Sequence, residues 1–318
     1  MDVIHLLRIE FVASAALVLL VYAVSALKNR FLAYGARSSP SRSDNRPQRQ
    51  KVQRPKGNTL TIALDRLADF RVPHSWFTTF YVTSVSCLLF WLIQLLLRGP
   101  NFRAVATRTS PPQYSMTFRQ VLVTWALMLV QSSRRLYECL QFARPSTSKM
   151  WIGHWLLGIG FYGAMSIAVW VEGIPAIQNY TFSWNDLPIT MPNLRTFIAG
   201  LIFILASGFQ HDCHAYLASL KPRSKASAAD GKSDYQLPEH PAFSRLIAPH
   251  YTAECLIYVA LALIATPQGA WLNWTITSAL LFVVINLGVT ADGTKKWYET
   301  KFGPAAVAGK WRMIPLIF

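Results

Sequence analysis

Apolar residues in this chain come in long blocks, with the polar residues gathered between them. Seven blocks can be drawn, at roughly 9–27, 76–97, 119–139, 151–171, 195–217, 252–267 and 271–292. A helix needs about 20 apolar residues to cross the hydrocarbon core of a bilayer, and most of the blocks approach that length. The pattern predicts an all-α integral membrane protein, a bundle of about seven transmembrane helices. The sixth block is short, and the third turns polar near its end. The first is followed by Lys28 and Arg30 and not by a small-residue cleavage site, so it reads as a span, not as a removable signal.

Several polar residues fall in helical register where the blocks end. In the fifth, Gln210, His214, Leu217 and Lys221 stand at i, i+4, i+7 and i+11, one stripe on one helix face. Such a stripe could hold a polar ligand; it could equally face neighbouring helices, with Lys221 snorkelling to the surface. The sixth block opens with Ala248-Pro249-His250-Tyr251-Thr252-Ala253-Glu254. Pro249 suits a first helical turn, where its missing N–H costs no bond. His250 and Glu254, four apart, share a face. An ionisable group at the centre of a span costs ~2.5–3.5 kcal/mol, so such groups tend to be functional, although a snorkelling helix start fits the same residues. In the seventh block Asn286, Thr290 and Thr294 repeat every four residues and lead to Trp297-Tyr298. The third ends in Arg134-Arg135-Leu136-Tyr137-Glu138, where Arg134 and Glu138 are spaced to pair. Four helix ends carrying polar groups and aromatics toward one side predict a shared polar site.

Composition agrees with a membrane protein. Of 318 residues 52% are hydrophobic and 14% charged, whereas a soluble domain carries about 25% charged residues. The net charge of +16 is concentrated: nine Lys or Arg and one acid, Asp44, lie between Lys28 and Lys56. That stretch is rich in Pro, Ser and Gln and reads as a disordered basic loop, 28–58. Beside a bilayer each basic residue gains ~1 kcal/mol from anionic headgroups, which accounts for the charge without invoking nucleic acid. The chain thus divides into N-terminal spans with this loop, 1–118, and a C-terminal region, 119–318. The 172–194 loop holds Glu172 and Asp186 and no Lys or Arg. The positive-inside rule places it in the lumen, with the N-terminus lumenal and the C-terminus cytosolic. The loop after Arg98, with Arg103 and Arg108 and no acids, runs against that scheme. Asn179-Tyr180-Thr181 is a glycosylation sequon in the lumenal loop.

Other patterns carry less. Cys87, Cys139, Cys213 and Cys255 lie in or beside spans without a CxxC pair and read as reduced, packed thiols. Gly158-Ile159-Gly160-Phe161-Tyr162-Gly163 matches GxGxxG but sits inside an apolar block, where small residues permit close helix contact. His211 and His214 lack a closed ligand set, so no metal is expected. Neither GxSxG nor HExxH occurs.

Four blocks of residues resemble the steroid 5α-reductase superfamily, most closely its polyprenol/polyprenal reductase branch. They are Ser133-Arg134-Arg135-Leu136-Tyr137-Glu138-Cys139-Leu140; Gln210 to Lys221; Tyr235-Gln236-Leu237-Pro238 with the turn at Pro249; and Trp297 to Phe302 with Ile314-Pro315-Leu316-Ile317-Phe318. The resemblance is dense from about residue 120 onward. It implies a seven-helix, multi-pass endoplasmic-reticulum reductase that uses NADPH without a Rossmann domain, on a long-chain isoprenoid lipid arriving through the bilayer. By position, Gln210, His214, Lys221, Tyr235, His250, Glu254, Asn286 and Tyr298 match cofactor-contacting residues, with Lys221 meeting phosphate and His250 and Glu254 orienting the nicotinamide and ribose. The chain departs from the steroid reductases at Ser132, where they carry a tyrosine, and at Thr294-Lys295-Lys296, where they carry histidines.

Hydride adds to a carbon–carbon double bond that is conjugated to an electron-withdrawing group. An α,β-unsaturated aldehyde has that sink and an allylic alcohol has none, so the implied substrate is polyprenal and the product dolichal. Tyr251 or Tyr137, supported by Glu138, is the expected donor at the aldehyde oxygen. Competing expectations are a steroid 5α-reductase, a trans-2-enoyl-CoA reductase, a membrane methyltransferase, and a non-catalytic lipid-binding scaffold.

Overall fold

The computed structural model describes residues 2–32, 59–143, 148–181, 191–220 and 236–318. Most of the predicted basic loop, and the expected cofactor residues Lys221 and Tyr235, lie outside the described residues. Within them the protein is almost entirely helical: α1 (Val3–Ala23), α2 (Ser25–Phe31), α3 (Thr59–Asp69), α4 (Thr78–Leu96), α5 (Pro100–Ala106), α6 (Phe118–Gln141), α7 (Ile152–Ala168), α8 (Ile174–Asn179), α9 (Leu194–Ser219), α10 (Pro249–Ala265) and α11 (Trp274–Phe302). Each of the seven apolar blocks is a helix. Five of these, α1, α4, α7, α9 and α11, are long and apolar enough to cross a membrane. α10 is apolar but only 17 residues long, and the 24 residues of α6 include Arg134, Arg135 and Glu138. One pairing departs from the all-helical expectation. A two-stranded antiparallel ribbon joins β1 (Arg71–Pro73) to β2 (Lys149–Trp151), with Val72 opposite Met150.

Local chemistry sets the helix ends. Asp2 caps α1, its carboxylate accepting from the Ile4 N–H at 2.8 Å. Thr117 and Gln120 form a reciprocal capping box at the start of α6. The Gln120 amide also donates to the Ile264 and Thr266 carbonyls, at 2.9 and 2.6 Å, tying that start to the end of α10. Asn193 and Asn273 cap α9 and α11. Gly303, at φ 89°, supplies the left-handed step that stops α11.

Helix packing in a membrane relies on close fit and on polar contacts between helices, since lipid tails are as apolar as leucine. The antiparallel pair α4–α6 shows both. Ser84 and Ser132 hydrogen-bond at 2.7 Å, and the Trp125 indole donates to the Leu88 carbonyl at 3.1 Å. Gly158 explains part of the GxGxxG run: a Cβ there would meet the Phe80 ring at 2.6 Å, so its absence lets α7 approach α4. The run lies well inside α7, not at a helix start. An apolar core runs from Ile4 and Phe11 through Met165 and Trp170 to Ile257 and Ile276.

The bundle has two polar ends. At the far end, Arg8, Glu172 and Thr275 meet beside Asp2 and α5. The Arg98–Arg119 stretch is there too, through the Val3 N–H to the Arg108 carbonyl and Arg98 to the Tyr180 carbonyl. The basic end gathers the ends of α6, α9 and α11, the starts of α4 and α10, and the C-terminal tail. The tail runs beside the segment before α10: Ile247 and Ala248 donate to the Trp311 and Arg312 carbonyls at 2.9 and 3.0 Å. α10 therefore begins pinned at Pro249, and so does the turn carrying His250.

Candidate active site

Spacing on α6 builds the floor of the site. Gln131, Ser132, Arg135 and Glu138 lie on its buried face, and α9 and α10 bring Gln210, His214, His250 and Glu254 against it. Gln131 and Gln210 are each 2% exposed. Gln131 Nε2 donates to Gln210 Oε1 at 3.2 Å and to Glu254 Oε2 at 3.1 Å. Gln210 Nε2 bonds the same Glu254 oxygen. Arg134 Nη2 donates to Gln131 Oε1 at 2.8 Å. Glu254 therefore sits in the membrane-directed part of the cluster, held by two amides.

Nearer the surface, Glu138 is the hub. It is 1% exposed and pairs with both Arg134 and Arg135. His211 Nδ1 lies 2.9 Å from one of its oxygens and His214 Nδ1 2.8 Å from the other. The two histidines thus face a carboxylate that two guanidiniums already neutralise. Arg135 is buried and extends inward, donating from Nε to the Tyr81 hydroxyl at 3.2 Å, with its guanidinium 5.1 Å from the Tyr81 ring centre. The His214 and His250 rings are 5.3 Å apart.

Two buried donors in this cluster have no protein partner: His250 Nδ1 and Arg134 Nε. A buried polar atom left without a bond costs about 1–3 kcal/mol, which a ligand can relieve. A carboxamide and ribose hydroxyls, which both donate and accept, suit a wall of two amides, a carboxylate and an unpartnered imidazole nitrogen. The residues present fit the nicotinamide half of a dinucleotide. A second group, of aromatics, lies beside it. Tyr216 on α9 has its ring 5.1 Å from His240 and 5.8 Å from Phe243, and Phe243 lies 6.3 Å from His250.

Of the expected site residues, the structure gathers Glu138, Gln210, His214, His250 and Glu254 into one network, while Tyr298 packs on Trp297 and Phe302 of its own helix. Asn286 lies a helical turn from Thr290, whose hydroxyl bonds the Asn286 carbonyl at 2.9 Å, on α11. The Tyr251 ring lies 4.3 Å from that of His250, tilted at 57°, and packs against Ala248, Ala291 and Met313. Tyr137 is 56% exposed and turns away from the network. Ser132 bonds Ser84 instead of facing the network. Three members escaped the sequence reading: Gln131, Arg135 as more than a surface cation, and Tyr81. The spacing Gln131–Arg135 beside Arg134–Glu138 was the available signal for the first two; for Tyr81, no chain-local signal distinguished it from the aromatics around it.

Comparison with known proteins finds a family and several relatives. The model of a family described as 3-oxo-5-alpha-steroid 4-dehydrogenase matches residues 168–318. A polyprenal reductase from Xenopus tropicalis is 30% identical over 78% of this chain and 81% of its own length. The polyprenal reductase of Saccharomyces cerevisiae is 29% identical over 84% and 83%, and that of Homo sapiens 25% over 73% and 74%.

Proposed function

The chain belongs to the 3-oxo-5-alpha-steroid 4-dehydrogenase family, on its polyprenal reductase branch, and from that premise we propose that it reduces the α-isoprene double bond of polyprenal to give dolichal. It is a reductase acting on a carbon–carbon double bond. The finer reading is that NADPH is the reductant, that the lipid enters from the bilayer, and that the product feeds dolichol supply for N-glycosylation at the endoplasmic reticulum. In this reading the basic end is cytosolic, and the basic segment before α3 lies against anionic headgroups. The observation that carries the proposal is the buried polar wall of Gln131, Gln210, Glu254 and His250, with His250 Nδ1 unpartnered, set directly against apolar helices.

Bound NADPH supplies a hydride to the β carbon of the conjugated aldehyde. The protein's part is to orient and to exclude water. Glu254, fixed by two amides, is placed to accept from a carboxamide N–H or a ribose hydroxyl. His250 offers its free ring nitrogen from a turn that the tail clamps. Arg134 and His211, on the surface side of Glu138, face the direction in which phosphates would lie. The apolar side chains on the membrane-directed side favour an isoprenoid over a polar acyl carrier.

The test is NADPH consumption by the purified protein in lipid nanodiscs, with polyprenal, a 3-oxo-4-ene steroid and a trans-2-enoyl-CoA offered separately. Polyprenal should be the preferred substrate, and His250→Ala and Glu254→Ala should each lower its turnover. Saturation of the steroid and not of polyprenal would overturn the substrate assignment. Binding of S-adenosylmethionine without NADPH would overturn the reaction class.

A further inference from the structure

Resting on that reading, we infer that Tyr81, and not Tyr137 or Tyr251, is the proton donor to the substrate's carbonyl oxygen. Tyr81 lies in the first turn of α4 and is 5% exposed. Its oxygen accepts from Arg135 Nε at 3.2 Å. The Tyr162 ring is 5.4 Å away. The Arg135 guanidinium thus occupies an acceptor position on the Tyr81 oxygen and leaves the phenolic O–H to donate. That is the arrangement a proton donor needs, because the phenolate left behind is held by a guanidinium.

Position supports the same role. Toward the surface of Tyr81 lie Arg135, Glu138 and His214. Toward the bundle centre lie Phe80, Tyr162, Tyr258 and Phe161, rings in serial contact. An aldehyde on a long hydrocarbon chain requires a polar group at the boundary of an apolar region, and Tyr81 stands at this one. Ser84 and Ser132, one turn along each helix, lock α4 to α6 so that Tyr81 and Arg135 keep their register. Tyr251 packs on the tail, and Tyr137 faces outward.

The step balances as follows. Hydride forms a C–H bond at the β carbon. The C=C π pair moves to the α–carbonyl bond, and the C=O π pair moves to oxygen. The Tyr81 O–H gives that oxygen its proton, leaving an enol and a phenolate. The α carbon then takes a proton that enters from bulk solvent, where the hydroxide is left, as the enol O–H returns its proton to Tyr81, giving the saturated aldehyde. One hydride and one proton are consumed.

The experiment reads Tyr81→Phe in nanodiscs in two ways. On polyprenal with NADPH, kcat should fall by ~10²–10⁴, the usual worth of a general acid, with KM and NADPH affinity unchanged. Independently of turnover, the infrared carbonyl stretch of bound citronellal, a short isoprenoid aldehyde without the α,β double bond, should be lowered in the wild type and return toward its hydrocarbon value in the variant. An unchanged kcat, or a wild-type stretch with no shift, overturns the assignment. If the wild type reduces a steroid enone and not polyprenal, the substrate reading fails while Tyr81 is judged on the steroid. Should Tyr81→Phe fail to fold, fluorotyrosine at this position decides. A more acidic phenol must move the alkaline fall in rate to lower pH, and an unmoved profile overturns the role.

Discussion

Glu138 and Glu172 are buried almost equally, at 1% and 4% exposure, at opposite ends of one bundle, and their surroundings differ in kind. Glu172 accepts from Arg8 Nη2 at 2.9 Å, the Thr275 hydroxyl at 2.5 Å and the Thr275 N–H at 3.3 Å. Its partners are one cation and groups from a single helix start, joining α1 to α11. Glu138 meets two arginines and two histidines, with unpartnered nitrogens on Arg134 and His250 in the same network. The Glu172 carboxylate is closed by its own partners, and the one unpartnered donor near it among the described residues, the Trp170 indole N–H, lies against the rings of Trp91 and Phe102. The Glu138 region holds more ionisable groups than its packing requires and donors that await a partner. Burial of a charge alone does not mark a functional site; surplus hydrogen-bonding capacity beside it does.

The largest effects should come from breaking each carboxylate. Removing one member of a buried ion pair costs about 3–5 kcal/mol because the remaining charge is stranded. Glu138→Ala and Glu172→Ala should both lower the unfolding temperature strongly. They should separate in turnover per folded molecule at low temperature, where Glu172→Ala retains activity and Glu138→Ala loses it. Loss of turnover in folded Glu172→Ala would break the comparison, because the far end would then belong to the chemistry.

His250→Ala should sharpen it. The Nδ1 has no protein partner, so its removal strands no hydrogen-bonding group, and the loss of thermal stability should be only that of the ring's packing on Tyr251, His214 and Phe243. Binding of NADPH should weaken by roughly 10- to 100-fold, the equivalent of about 1–3 kcal/mol. Titration calorimetry with NADPH beside a melting curve reads both. A fall in melting temperature with unchanged affinity would return His250 to the structural class. A smaller effect is expected at the far end from Thr117→Ala, which removes half of the α6 capping box. It should cost ~1 kcal/mol of stability and leave kinetic constants unchanged.

The helices were legible because lipid imposes one rule, long apolar runs, and each run became a helix. The ribbon of β1 and β2 was not, since three residues a side leave no periodicity and the pairing crosses from Arg71 to Trp151. Within the site, residues at a spacing of four on one helix were readable: Gln210 with His214, and His250 with Glu254. Contacts between helices were not. Gln131 lies inside an apolar block, and its role appears only when α9 and α10 supply Gln210 and Glu254. Tyr81 was hidden by composition, one aromatic among Trp76, Phe77 and Phe80. The distinction between Tyr137 and Glu138, adjacent in sequence, depended on the rotation of α6.

That rotation yields the smallest expected effect. Successive side chains on a helix diverge by about a quarter turn or more, so neighbours can serve opposite surroundings. On α6 the buried face runs through Thr124, Met128, Gln131, Ser132, Arg135 and Glu138. Tyr137, at 56% exposure, falls outside it, on the side that a bilayer would cover. A phenol there can reach neither Glu254 nor the Tyr81–Arg135 pair without unwinding the helix. Tyr137→Phe should therefore change stability by no more than about 0.5 kcal/mol, the usual range for an outward-facing substitution, and leave kcat and KM on polyprenal as they were. The measurement is the same nanodisc assay, run beside Tyr81→Phe. A tenfold loss in Tyr137→Phe would place reacting atoms on the outer face of α6, and the buried network around Glu138 would then be a second structural knot like that of Glu172.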